Sequence, residues 1–60
     1  MAQFEVYKDN ARLFRWRLRT SDNRILAESS EGYFNRSDCE NAVSLVRNLV
    51  PKADLILNNT

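Results

Sequence analysis

The segment Phe14-Arg15-Trp16-Arg17-Leu18-Arg19 alternates apolar and cationic side chains with period two. That pattern reads as a strand with one face in a core and the other in water. It places both a packed surface and a concentration of positive charge. It specifies no reaction.

Sixty residues allow one small domain, spanning 1–60. A chain of this length buries only about 60% of the surface its unfolded form exposes, so its core is marginal. Domains of this size usually rely on disulfides, a metal or a second subunit. The single cysteine cannot close an internal disulfide, and with no histidine a zinc site is not expected. No cofactor is expected either. A second copy of the chain is the remaining support, so the expectation is a homodimer.

Nine Lys/Arg against eight Asp/Glu leave a formal charge of +1. The net charge therefore does not call for nucleic acid or an anionic membrane. Locally the balance differs: Arg12, Arg15, Arg17, Arg19 and Arg24 fall close together with Asp22 as the only acid among them. No apolar run approaches the roughly 20 residues that span a bilayer. Met1-Ala2-Gln3-Phe4-Glu5 lacks the basic and apolar regions of a signal peptide. A lone thiol suits a reducing compartment, and the chain is expected to be soluble and cytoplasmic.

Phe4-Glu5-Val6-Tyr7 alternates and predicts a strand over about 3–8, ending in the turn residues Lys8-Asp9-Asn10-Ala11. A second strand is expected over about 12–20. Ser21-Asp22-Asn23 is a tight turn, since Asp and Asn tolerate positive φ, and a third strand follows over about 24–31. Gly32, the only glycine, permits a bulge or a left-handed residue as the chain leaves the sheet. Ser37-Asp38-Cys39-Glu40 matches a capping box, with Ser37 at the N-cap. Cys39, Ala42, Val43, Val46, Leu49 and Val50 then recur at helical spacing, predicting a helix over about 37–50 that Pro51 ends. Residues 53–57 are apolar and β-prone enough for a fourth strand, and Asn58-Asn59-Thr60 is a polar tail.

A two-residue turn at Asp22-Asn23 sets Leu18 opposite Ala27, Trp16 opposite Ser29 and Arg17 opposite Glu28. Pairing Tyr7 with Leu13 sets Phe4 opposite Trp16, Val6 opposite Phe14 and Glu5 opposite Arg15. Phe4, Val6, Phe14, Trp16, Leu18, Ile25 and Ala27 then line a core face that the helix stripe covers. Glu5, Tyr7, Arg15, Arg17, Arg19, Leu26 and Glu28 line the other. The fold class is α+β: an antiparallel three-strand meander, one helix on its apolar face, and a final strand completing a sheet.

The order Phe4-x-Val6-Tyr7-x-Asp9, Phe14-x-Trp16-Arg17-Leu18, Ile25-Leu26-Ala27-x-Ser29-x-Glu31-Gly32-Tyr33 resembles the YegP-like family of small uncharacterised proteins. Arg36-Ser37 and Cys39-Glu40-x-Ala42-Val43 extend the likeness into the helix. The resemblance implies a three-strand, helix, strand unit, used as a tandem repeat or as two copies in a homodimer. It further implies that the two units share one sheet and exchange their C-terminal strands. Ala53, Leu55, Ile56 and Leu57 are then the candidate dimer strand. Family members often carry glycine where this chain has Arg12 and Asn23. The family brings no activity to assign to any residue.

Arg15, Arg17 and Arg19, with Tyr7 nearby, are the candidate polyanion-binding face, offering phosphate contacts and one ring for base stacking. The competing reading is a solvated face neutralised by cross-strand pairs to Glu5 and Glu28. Cys39 reads as a small hydrophobe of the helix stripe rather than a reactive thiol. Tyr33, at the sheet-to-helix corner, is a further candidate for ligand contact. Catalysis lacks a histidine and a glycine-rich phosphate loop. Glu28 and Glu31 fall on opposite strand faces, and neither Ser29 nor Ser30 has a base. A catalytic role is not expected. The leading expectation is a non-catalytic, homodimeric structural or interaction module; the alternative is weak nucleic-acid or polyanion binding.

Overall fold

The computed structural model describes residues 1–58; Asn59 and Thr60 of the expected polar tail lie outside the described residues. Three strands, β1 (Gln3–Lys8), β2 (Phe14–Arg19) and β3 (Ile25–Glu28), precede a helix α1 (Arg36–Leu49) and a 3-10 turn (Val50–Lys52). The strands form one antiparallel sheet in the order β1-β2-β3. The chain is thus α+β, with the helix lying against β1 and β2 and not against β3.

Both hairpins use the same device. Asp9 N–H donates to Leu13 O at 2.8 Å and Arg12 N–H to Asp9 O at 3.0 Å, with Arg12 at φ 65°. Thr20 N–H donates to Arg24 O at 2.8 Å and Asn23 N–H to Thr20 O at 3.0 Å, with Asn23 at φ 71°. Each is a three-residue loop, a turn followed by one left-handed residue. Arg12 and Asn23 are the two non-glycine residues with positive φ among the described residues.

These loops correct the expected registers. Phe4 lies opposite Leu18, Glu5 opposite Arg17, Val6 opposite Trp16 and Tyr7 opposite Arg15. The shift is two residues, so every side chain keeps its face. Between β2 and β3 the pairs Leu18–Ala27 and Arg17–Glu28 form as expected. The longer loop is absorbed by a bulge between Leu18 and Arg19, which sets Ile25 opposite Arg19. Ile25 is accordingly 47% exposed and does not belong to the core.

β3 is shorter than expected because the ladder breaks after Glu28. Ser29 N–H still reaches Trp16 O at 2.8 Å, and Trp16 N–H donates to the Ser29 hydroxyl at 3.2 Å. The chain then loops out and returns, with Phe14 and Tyr33 exchanging backbone hydrogen bonds of 2.7 and 2.8 Å. Gly32 does not adopt positive φ. Its role is close approach to Leu13, not conformational freedom.

The helix starts two residues earlier than the capping box implies. Asn35 is the N-cap with extended backbone, and its side chain meets Asp38 at 3.3 Å rather than a backbone N–H. Ser37 and Glu40 form no box; Glu40 pairs instead with Arg36 at 3.3 Å. Pro51 ends the α-helix by diverting it into the 3-10 turn.

Phe4 and Trp16 meet edge to face, their centroids 5.7 Å apart, under the helix. Yet the core is thin. Among the described residues Cys39 is the only fully buried apolar side chain, and Phe4, Val6, Trp16, Leu18, Val43 and Val46 are half-buried. The helix stripe opens out at its C-terminal end, where Leu49 and Val50 are exposed. Ala53 leaves Lys52 with extended backbone, and residues 53–57 form no fourth strand with their own chain.

Candidate functional site

The two candidate regions lie on different parts of the molecule. The first is the helix-free face of the sheet, where period-two alternation brings Tyr7, Arg15, Arg17 and Arg19 together as expected.

Every arginine of this face is already engaged. Arg15 donates to Asp9 at 2.6 Å and reaches Ser29 O at 3.4 Å. Arg17 and Arg19 both donate to Glu5 Oε1, at 2.7 and 3.2 Å. Arg19 also donates to the Asn23 side chain at 2.8 Å, and Arg17 lies 4.4 Å from the centre of the Tyr7 ring. The expected partners are exchanged by the register: Glu5 serves Arg17 and Arg19 rather than Arg15. Glu28 sits opposite Arg17 but forms no ion pair among the described residues, and Asp9 takes its place in holding the third arginine.

The carboxylates respond to these neighbours. Hydrogen bonds from Arg17, then Arg19, hold the Glu5 carboxyl below the usual range. The Leu13 N–H, then Arg15, does the same for Asp9, while Arg15 is raised by Asp9. Asp9 also accepts from Ala11 N–H at 2.9 Å, so one carboxylate both closes the first loop and anchors Arg15. Sequence reasoning missed that role, although an Asp opening a hairpin loop is a known turn-former.

Elsewhere the chemistry is quiet. Burial pushes the Cys39 thiol up, which opposes activation by the helix dipole. Burial likewise raises the Tyr33 hydroxyl, with Glu31 adding to it. Among the described residues no three His, Cys, Asp or Glu side chains converge as a metal site. No described helix is long and apolar enough to cross a membrane.

The second region is apolar. Leu55, Ile56 and Leu57 are 87%, 76% and 82% exposed, and Ala53 is exposed beside them. An open groove of about 560 Å³ lies between the start of β1 and α1. Its walls carry Phe4, Val6, Leu18 and Val43, with Glu40 and Arg47 from the helix. Sequence reasoning found the segment but not the groove, because a groove depends on where the helix stops covering the sheet.

Residues 9–56 match the model of a domain of unknown function, DUF1508. A UPF0339 protein of Agrobacterium fabrum is 38% identical over 60 residues, covering all of this chain and 95% of its own length. A UPF0339 protein of Neisseria meningitidis serogroup B is 41% identical over 44 residues, covering 73% of this chain and 77% of its own. The solution structure of a protein from Haloferax volcanii superimposes with a TM-score of 0.87 at 38% identity, covering 95% of each chain.

Proposed function

Because the chain belongs to the DUF1508 family, whose members are described only as of unknown function, we propose its role from its own surface: a non-catalytic, homodimeric interaction module. One observation carries this reading. Leu55, Ile56 and Leu57 stand exposed on a chain whose described residues include a single fully buried apolar side chain, Cys39. Apolar surface so placed marks an interaction site, and a small domain with a thin core gains most from a second copy. In this reading Ala53, Leu55, Ile56 and Leu57 cross to the partner as a fourth strand and extend its sheet. The working compartment is the cytoplasm, where the lone thiol stays reduced.

The polyanion reading has less support. Each of Arg15, Arg17 and Arg19 already donates to a carboxylate, so binding phosphate requires breaking those bonds. Amide shifts recorded against short single-stranded DNA and RNA, at about 50 and about 200 mM salt, separate the two readings. The interaction module predicts a silent titration; shifts at Tyr7, Arg15, Arg17 and Arg19 that fade at higher salt favour the alternative.

The dimer itself is tested by sedimentation of the full chain beside one lacking residues 51–60. The full chain is expected at twice the 7.0 kDa of one copy, and the shortened chain as a monomer. A shortened chain that keeps dimer mass and stability overturns the strand exchange.

A further inference from the structure

On the helix-free face Arg17 and Arg19 converge on one oxygen: both Nε atoms donate to Glu5 Oε1, at 2.7 and 3.2 Å. Two positive charges thus share one carboxylate. Arg15 differs, since Asp9 answers it one to one. Glu28 lies opposite Arg17, but it is exposed and forms no ion pair among the described residues. The convergence point therefore keeps an excess of positive charge even with Glu5 in place.

Neither arginine depends on Glu5 alone for its position. Arg17 lies 4.4 Å from the centre of the Tyr7 ring, and Arg19 donates to the Asn23 side chain at 2.8 Å. Both are part-buried. If the Glu5 carboxylate swings away, two pre-positioned guanidiniums remain. Guanidinium forks match phosphate oxygens. A terminal phosphate carries about −1.5 to −2 at pH 7, which balances two arginines where one carboxylate does not. A phosphodiester, with a single charge, has no such advantage over Glu5.

We propose that Arg17 and Arg19 form a binding site for a terminal phosphate dianion, and that Glu5 occupies it as an internal competitor. The inference takes the arginine face of the polyanion reading and changes its ligand, from a nucleic-acid backbone to a terminal phosphate. It does not depend on the dimer, so its failure leaves that reading untouched.

The test follows the Nε signals of Arg17 and Arg19 against inorganic phosphate and a nucleoside 5′-monophosphate at constant ionic strength. Dimethyl phosphate serves as the singly charged control. Glu5→Gln keeps an acceptor oxygen and removes the charge, and is expected to bind phosphate at least ~10-fold more tightly than the natural chain. Adding Arg17→Gln or Arg19→Gln should abolish that gain. Nucleotide binding more tightly than phosphate assigns the site to phosphate esters; otherwise it is assigned to free phosphate. Equal affinity of Glu5→Gln and the natural chain overturns the competition by Glu5. A gain that survives loss of either arginine, or dimethyl phosphate binding as well as phosphate, overturns the site. Should Glu5→Gln fail to fold, the natural chain in excess phosphate decides: shifts at the two Nε signals support the site, and their absence overturns it.

Discussion

A Cβ built on Gly32 lies 2.6 Å from Leu13 Cδ1 and 2.8 Å from Leu13 Cβ. The terminal methyl can swing away, but Leu13 Cβ is fixed by a backbone that closes the first hairpin against Asp9. Gly32→Ala therefore forces the two loops apart. The expected loss is about 1–3 kcal/mol, read from the urea midpoint. An unchanged midpoint would show that the contact relaxes without cost.

The two left-handed residues make the opposite prediction. Arg12 at φ 65° bears the steric cost of a Cβ in that region, whereas Asn23 at φ 71° tolerates it better. Arg12→Gly is expected to stabilise by about 1 kcal/mol and Asn23→Gly by less. Thermal unfolding of both variants checks the order. A destabilised Arg12→Gly contradicts the argument.

Acid should loosen the sheet through Glu5 and Asp9. Both carboxyls sit below their ordinary values in the folded chain, Glu5 through Arg17 and Arg19, Asp9 through Leu13 N–H and Arg15. A lowered folded value contributes stability above the unfolded value, about 4, and loses it as pH falls through the folded one. Stability should thus be level from pH ~7 to ~5 and fall below ~4. Combining Glu5→Gln with Asp9→Asn should flatten that fall in a pH series of denaturant midpoints. An equally steep fall in the double variant would place the acid sensitivity elsewhere.

Ser29 looks inert for catalysis, yet it is buried at 7% exposure and its hydroxyl accepts from Trp16 N–H. It stands in for a carbonyl where the β2–β3 ladder breaks. Ser29→Ala leaves that N–H without its partner, at an expected loss of about 1–2 kcal/mol. Amide exchange at Trp16 should quicken in the variant; unchanged protection there would mean that another acceptor takes over.

The faces of the sheet were legible because parity survives a slip of two residues. Phe4, Val6, Trp16 and Leu18 share the helix side, and Tyr7 and the arginines the other, in either register. The register itself was not legible, because it depends on the Asp9 carboxylate gathering Ala11 and Leu13 N–H into a three-residue loop. That one loop decides which acid meets which arginine. Ile25 was misplaced because a bulge leaves little trace in a four-residue strand. Asn35 and Ser37 are both good cap residues, and the Ser37-to-Glu40 spacing favoured the wrong one. The apolar character of Leu55, Ile56 and Leu57 was plain from composition, but their lack of cover within the chain needed the fold.

The most direct test of the exchanged segment is a nuclear Overhauser experiment filtered for contacts between chains, on an equal mixture of labelled and unlabelled protein. The account predicts cross-peaks from the Leu55, Ile56 and Leu57 methyls of one copy to strand residues of the other. Contacts from these methyls only within one chain, or none at all in a protein that sediments as a monomer, would contradict it.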